Sequence, residues 1–322
     1  MTAYVRWLRR HIGQAKTPLV YASTIITNRR GAILFQRRAD FGDAWWGLPG
    51  GLLELGESIA DTAIREAREE TGLMIYPARL VGLYSSPDFD VTYPNGDQVQ
   101  QVTACFACQR IGGELQPQDG EILELRYFPS SDLPPMPPWY AAMVADFVAN
   151  RGQASFQAGS PGMDADPYNR TYDDIRRAVD GPDPLIVVGA CAFIRQGDAV
   201  LLQRRGDNSR WGLPGGSLEM GERIDQTAVR EAREETGVEV EPVRLIGLYS
   251  APRPPTAPAP RDSQIVFAHF ECRPVGGAPQ ADGVETIDAR YFALNDLPAE
   301  MSDRWRAYIA DALLERREAI VR

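Results

Sequence analysis

The chain is written twice. The block GLLELGESIADTAIREAREETGL at 51–73 returns as GSLEMGERIDQTAVREAREETGV at 216–238 without a slip of register. Agreement continues outward on both sides. QRRADFGDAWWGLPG at 36–50 matches QRRGDNSRWGLPG at 203–215, and LVGLYSSP at 80–87 matches LIGLYSAP at 245–252. GGELQPQDGEILELRYF, ending at Phe128, matches GGAPQADGVETIDARYF, ending at Phe292. Even the leader WLRRHIG at 7–13 has a weaker echo in DIRRAVDG at 174–181. One repeat is about half of the 322 residues, so the duplicated unit is a whole domain and not a short solenoid repeat. The pattern lapses over 150–166, NRGQASFQAGSPGMDAD, whose Gly, Ser, Ala and Asp content reads as a linker. The expected organisation is a first domain at 1–152 with an N-terminal helix, a linker at 153–170 and a second domain at 171–322.

Composition narrows the class. With 44% hydrophobic and 24% charged residues, each half has the apolar content for a core of its own. Mean hydropathy is -0.30, and no uninterrupted apolar run reaches the roughly 18 residues of a spanning helix. No secretory pattern is visible in MTAYVRWLRRHIGQAK, so a cytoplasmic location is the default expectation. A formal net charge of -10 argues against nucleic acid as a partner, because phosphate backbones are bound by basic patches. Four cysteines do not make a disulfide framework. Cys105 and Cys108 lie three apart in VTACFAC, which reads as a strand, so they point to opposite faces and cannot easily grip one metal. Both are read as core residues, Cys108 with a counterpart at Cys272. His11 and His269 have no Cys or Asp at ligand spacing, and His269 stands where the first copy has Cys105; both are read as structural.

Within each copy the order is a helix, strands, a glycine turn into a second helix, further strands and a closing helix. YASTIIT, AILFQRR, ARLVGLYS and VTACFACQR have the β-branched and aromatic content of strands, as do LIVVGACAFI, AVLLQRR, VRLIGLYS and QIVFAHFEC. Closing helices are expected over 140–150 and 304–322. The mixture predicts a sheet covered by helices.

The helix at 58–71 has Ser58 as its N-cap, Asp61 three residues on and Gly72 as its stop. The copy at 223–236 lacks the Ser cap but keeps Gly237. Glu66, Glu69 and Glu70 share one sector of this helix, and Glu231, Glu234 and Glu235 repeat the arrangement. Like charges so close repel unless cations sit among them, and an oxygen-only donor set suits a hard divalent ion, Mg²⁺ before Ca²⁺. A solvated acidic face laced with Arg65 and Arg68 is the other reading. Its recurrence behind the same glycine turn favours function.

The full pattern is Gly, five residues, Glu, seven residues, then Arg-Glu-apolar-x-Glu-Glu-x-Gly-apolar. Complete at 51–73 and again at 216–238, it resembles the signature of the Nudix (MutT-like) hydrolases. Ala67 and Ala232 depart from it, standing where the family carries a larger aliphatic residue; this concerns packing under the helix, not the acidic cluster. The resemblance covers nearly all of both halves. It implies an α/β (α+β) chain of two tandem Nudix folds, each a mixed β-sheet sandwiched between helices in an α/β/α sandwich. It also implies hydrolysis of the pyrophosphate in a small nucleotide derivative, assisted by Mg²⁺ or Mn²⁺. By position, Glu69 and Glu70 would hold metal, with Glu66 as a further ligand or as the base that activates water, and Glu234, Glu235 and Glu231 would do the same. The carbonyls of Gly50 and Gly215 would be further ligands. Arg65 and Arg230 would orient the glutamates, with Glu57 and Glu222 as their partners or as metal contacts through water. A base from a distant loop, as in several relatives, would be Glu121 or Glu285.

Around this motif, Arg37 and Arg38, with Arg204 and Arg205, close strands where their forks can reach substrate phosphates; covering the sheet edge is the alternative for one of each pair. Trp46 and Trp211 are read as pinning the Gly-Leu-Pro-Gly-Gly turn more readily than stacking on a base. The copies diverge after Leu-Tyr-Ser, with SPDFDVTYPNGDQVQ against APRPPTAPAPRDSQ, which predicts different substrate preferences or unequal rates. Nucleoside diphosphate sugars or ADP-ribose and nucleoside triphosphates, oxidised ones included, stay level as substrates. A second reading makes one copy catalytic and the other a nucleotide-binding or regulatory domain. The duplication also allows the copies to pack as an intramolecular pseudo-dimer, or the chain to associate further.

Overall fold

The computed structural model describes residues 2–38, 46–117, 120, 122–149, 151–161, 172–179, 185–250 and 263–322. The first copy runs α1 (Ala3–Ile12), β1 (Thr17–Ile26), β2 (Ile33–Arg38), β3 (Gly50–Leu52), α2 (Ile59–Thr71), β4 (Leu73–Tyr84), a 3₁₀ turn, β5 (Val91–Thr92), β6 (Gln98–Gly113), β7 (Ile122–Phe128) and α3 (Pro138–Ala149). The second runs α4 (Tyr172–Ala178), β8 (Leu185–Gln196), β9 (Ala199–Arg205), β10 (Trp211–Gly212), β11 (Gly215–Ser217), α5 (Ile224–Thr236), β12 (Val238–Tyr249), β13 (Ser263–Gly277), β14 (Thr286–Ala293), α6 (Asp303–Ala312) and β15 (Ile320–Val321). The sheets are mixed and flanked by helices, the expected architecture. In the first copy β1 lies parallel to β6 and antiparallel to β3, β4 closes the sheet against β6, and β2 pairs with β7. In the second, β8 takes the place of β1, parallel to β13 and antiparallel to β11.

Local chemistry shapes α2 and α5 as the sequence indicates. Ser58 and Asp61 form a reciprocal capping box on α2, and Gly72 ends the helix in the left-handed region at φ 72°. Without a Ser, α5 is entered through Arg223, whose N–H donates to Gln226 Oε1 at 2.9 Å. Ile59, Ala63 and Ala67 with Ile224, Ala228 and Ala232 form the apolar stripes of the two helices. Both stripes belong to one hydrophobic cluster that runs through both copies. Ala67 and Ala232 are fully buried there. Cys105 and Cys108 fall in different clusters on opposite faces of the sheet, and all four cysteines are free and buried. His269 is completely buried among Phe193, Tyr249 and Tyr308. No described residue hydrogen-bonds either of its ring nitrogens, and burial pushes its pKa down to about 3.

The ends of both copies make further contacts, and one expectation is corrected. The segment read as linker from 153 begins as a strap on the first copy: Leu83 N–H donates to the Ser155 carbonyl at 2.8 Å and Ser155 N–H to Val81 at 2.9 Å. Phe156 then packs on Phe270 of the second copy, with ring centroids 5.1 Å apart. Apolar Ala154 and Phe156 were overlooked within a polar composition. The closing helix expected over 304–322 stops at Ala312, because Leu313 and Leu314 are exposed and Glu315 turns to φ 49°. The chain then returns as β15, parallel to β12. No described helix is long and apolar enough to cross a membrane.

Candidate active sites

Each site is assembled where the Gly-Gly strand crosses the start of the central sheet. Gly50 has φ 154°, and a Cβ there would stand 2.1 Å from the Ala22 carbonyl oxygen, so no other residue fits. A Cβ on Gly51 would stand 2.4 Å from the Glu66 carboxyl, and one on Gly216 would stand 2.3 Å from Glu231. The two glycines let the backbone reach β1 and let the helix lay a carboxylate directly on the turn.

The acidic side chains are held by a branched set of donors. In the first copy, Arg65 donates to Glu57 at 2.6 Å, Glu66 at 2.7 Å, Glu69 at 3.1 Å and the Leu52 carbonyl at 2.9 Å. Arg230 repeats this with Glu222 at 2.6 Å, Glu231 at 2.8 Å, Glu234 at 3.1 Å and the Ser217 carbonyl at 2.9 Å. Glu57 and Glu222 thus face the arginine, and each also accepts from a threonine on its helix, at 3.0 Å. Glu70 accepts the Gly50 N–H at 2.7 Å, as Glu235 accepts that of Gly215. Burial pushes the Glu70 carboxyl up to about 8 and Glu235 likewise, against these donors. Burial also raises Glu66 and Glu231. Among the described residues no three carboxylates converge in a finished coordination cluster. The donor set is nonetheless all oxygen, clustered on one helical face and partly buried, which fits a hard divalent cation.

Gln36 and Gln203 are partners of the buried glutamate in their own copies, and the first copy adds an arginine. Arg38 reaches Glu70 at 2.8 Å, whereas Glu235 has Gln203 at 3.4 Å. Arg205 turns instead to Asp207, both contacts at 3.0 Å, and Arg204 donates to the Ser209 carbonyl at 3.0 Å. Arg37 pairs with Glu124 across the β2–β7 ladder at 3.4 Å. Of the four strand-end arginines, Arg38 alone lines the chamber beside the first acidic cluster. Trp46 packs edge-on against Phe128 at 4.9 Å and Trp211 against Phe292 at 4.6 Å, pinning the turn as expected. Glu285 shares a surface hollow with Glu231, Glu234 and Glu235, while Glu121 lies outside the described residues.

Beside Gly50 and Arg38 opens a cavity of about 380 Å³, walled by Tyr21, Tyr93, Trp139 and Tyr140 with Gln101. Sequence reasoning overlooked these aromatics because they come from three separate segments. Tyr21 and Thr103 face each other in the β1–β6 register, and their hydroxyl-bearing ring joins Tyr93 at 3.1 Å between oxygens. The second copy inverts the pair: Gly189 faces Phe267, whose ring lies 2.7 Å from where a Cβ on Gly189 would be. The aromatic wall is there without its hydroxyl, and Ile265 replaces Gln101 beside it.

The NUDIX domain model matches residues 17–147 and again 185–313. An ADP-ribose pyrophosphatase of Methanocaldococcus jannaschii is 33% identical over 131 residues, covering 41% of this chain and 73% of that protein. A MutT-like protein of Streptomyces ambofaciens is 31% identical over 124 residues, covering 38% of this chain and 74% of that protein. A solved ADP-ribose pyrophosphatase of Streptococcus suis, 27% identical, covers 42% of this chain and 97% of its own, with a TM-score of 0.34. With both halves matched, the chain belongs to the NUDIX family, as a pyrophosphohydrolase carrying two such domains in tandem.

Proposed function

We propose that the chain hydrolyses the pyrophosphate link of nucleoside diphosphate derivatives at two metal-dependent sites, one in each unit (1–152 and 171–322), in a cytoplasmic setting. The observation that carries this is the same partly buried carboxylate constellation, built twice on the same arginine and glycine turn. Glu66, Glu69, Glu70 and the Gly50 carbonyl would hold Mg²⁺ or Mn²⁺ in the first site, with Glu231, Glu234, Glu235 and Gly215 in the second. The cation supplies charge neutralisation of the phosphates and a more acidic water. Arg65 and Arg230 fix the glutamates, and Arg38 offers a fork to a phosphate at the chamber mouth. The base is Glu66 or Glu121 in the first site, and Glu231 or Glu285 in the second.

The first chamber's four aromatic walls with polar tips suit a nucleobase, held by stacking and edge hydrogen bonds. ADP-ribose, nucleoside diphosphate sugars and nucleoside triphosphates all present one. In the second copy Phe267 and Ile265 stand where Thr103 and Gln101 line the first chamber, so the two sites should have unlike preferences. The alternative, in which the second copy binds without turnover, draws on Arg205 forking onto Asp207 where Arg38 forks onto Glu70.

The test is nucleoside monophosphate release from that substrate panel with Mg²⁺, Mn²⁺ or chelator. Hydrolysis that stops with chelator supports the reading, and inertness toward the whole panel sinks it. In the same assay Tyr21→Phe, which removes one hydroxyl at the chamber wall, should raise KM about 2- to 10-fold with kcat little changed, the worth of one hydrogen bond. An unchanged KM would place the base elsewhere.

A further inference from the structure

Each catalytic helix is entered through a turn that the opposite copy holds. Gln264 of β13 accepts the Gly56 N–H through Oε1 at 2.7 Å and donates through Nε2 to the Glu57 carbonyl at 2.6 Å. Reciprocally, Gln100 of β6 accepts the Gly221 N–H at 2.8 Å and donates to the Glu222 carbonyl at 2.7 Å. The Ile59 N–H donates to Ser250 Oγ at 2.9 Å, and the Ile224 N–H to Ser85 Oγ at 2.9 Å. Both glutamines and both serines are buried. Ile59 and Ile224 open α2 and α5, so their N–H groups have no partner within their own helix. The other copy supplies it.

These contacts lead into the chemistry. Glu57 and Glu222, whose backbone the glutamines clamp, are the residues whose carboxylates hold Arg65 and Arg230. Those arginines in turn hold Glu66 with Glu69 and Glu231 with Glu234. A primary amide suits the task because its planar donor and acceptor match one N–H and one carbonyl of the same turn.

We infer that Gln264 and Ser250 are positioning residues for the first site and Gln100 and Ser85 for the second, so that each copy sets the metal affinity of the other. This rests on the metal role proposed above for the acidic clusters. Groups that orient metal ligands change affinity by about 10- to 100-fold when lost, and here they act crosswise.

The experiment is Mn²⁺ titration of the full-length, metal-free chain, with free Mn²⁺ read by electron paramagnetic resonance. In a Glu235→Gln background, which leaves the first site, Gln264→Leu should weaken binding about 10-fold or more, and Gln100→Leu by less than about twofold. In a Glu70→Gln background the two should exchange roles. Gln264→Glu, which keeps the acceptor for Gly56 and loses the donor, should fall between. Should a leucine variant fail to fold, Ser250→Ala and Ser85→Ala carry the same crosswise pattern with smaller shifts. Effects confined to the glutamine's own copy, or equal at both sites, overturn the inference. No Mn²⁺ uptake by the unsubstituted chain overturns the metal assignment and the inference with it.

Discussion

Glu70→Gln is expected to lower turnover at the first site by at least about 100-fold, since even groups that only support a metal ligand are worth up to that much. The amide keeps the shape and can still accept the Gly50 N–H, but it cannot offer a carboxylate to a cation. Glu235→Gln should do the same at the second site. Measured on the substrate panel, each variant should remove a different activity and the double variant all of it. One silent variant would make its copy a binding domain. Full activity in the double variant would remove both glutamates from the chemistry. Folding should survive with a modest loss: burial disfavours the charge that the amide removes, but the amide nitrogen then meets the Arg38 donor that Glu70 accepts, so the melting temperature of metal-free Glu70→Gln should fall by no more than a few degrees. Inactivity without unfolding separates a chemical role from a structural one.

His269→Cys is expected to change how the protein tolerates acid. His269 is fully buried without a hydrogen bond to its ring among the described residues, and burial holds its pKa at about 3, against 6.5 for an ordinary histidine. The native state therefore binds fewer protons at this position than the unfolded chain between those values. Stability rises with pH across that window and is lost as pH falls from about 6.5 toward 3, in total on the order of 5 kcal/mol for this one ring. Cysteine, which the first copy carries at the equivalent position as Cys105, does not titrate there. It is smaller, so the variant should be less stable by about 1 to 2 kcal/mol at pH 7. The two curves of unfolding free energy against pH, from urea titrations, should cross below about pH 6. Parallel curves would show that acid lability comes from elsewhere.

What the residues disclose in advance follows from the range of the interactions. The acidic helix, its Ser58–Asp61 cap and its Gly72 and Gly237 stops depend on neighbours a few positions apart, and the duplication displays them twice. Trp46 and Trp211 stand beside the turn that they pin, although their ring partners Phe128 and Phe292 lie far along the chain. The strap at Ser155, the return of β15 and the meeting of Tyr21 with Tyr93 depend on partners far along the chain. A composition rich in Gly and Ser conceals Ala154 and Phe156, which pack once the opposite copy is in place. Gln100 and Gln264 left one trace: a glutamine, and likewise a serine at 85 and 250, recurs at equivalent positions outside the acidic motif. Matching polar residues that are buried in both copies ask for a shared partner, and the arrangement of the two copies supplies it.

The reciprocal contact between the copies also changes how the protein responds to dilution. Two separate chains meeting through these surfaces would dissociate as concentration fell, and each would lose the support of its catalytic turn. Here the two copies are one chain, and a covalent link keeps the halves at an effective concentration on the order of millimolar. Assembly becomes a first-order event within one molecule, so specific activity per chain should stay constant down to nanomolar protein, and the two halves are free to drift apart in sequence without needing to recognise themselves.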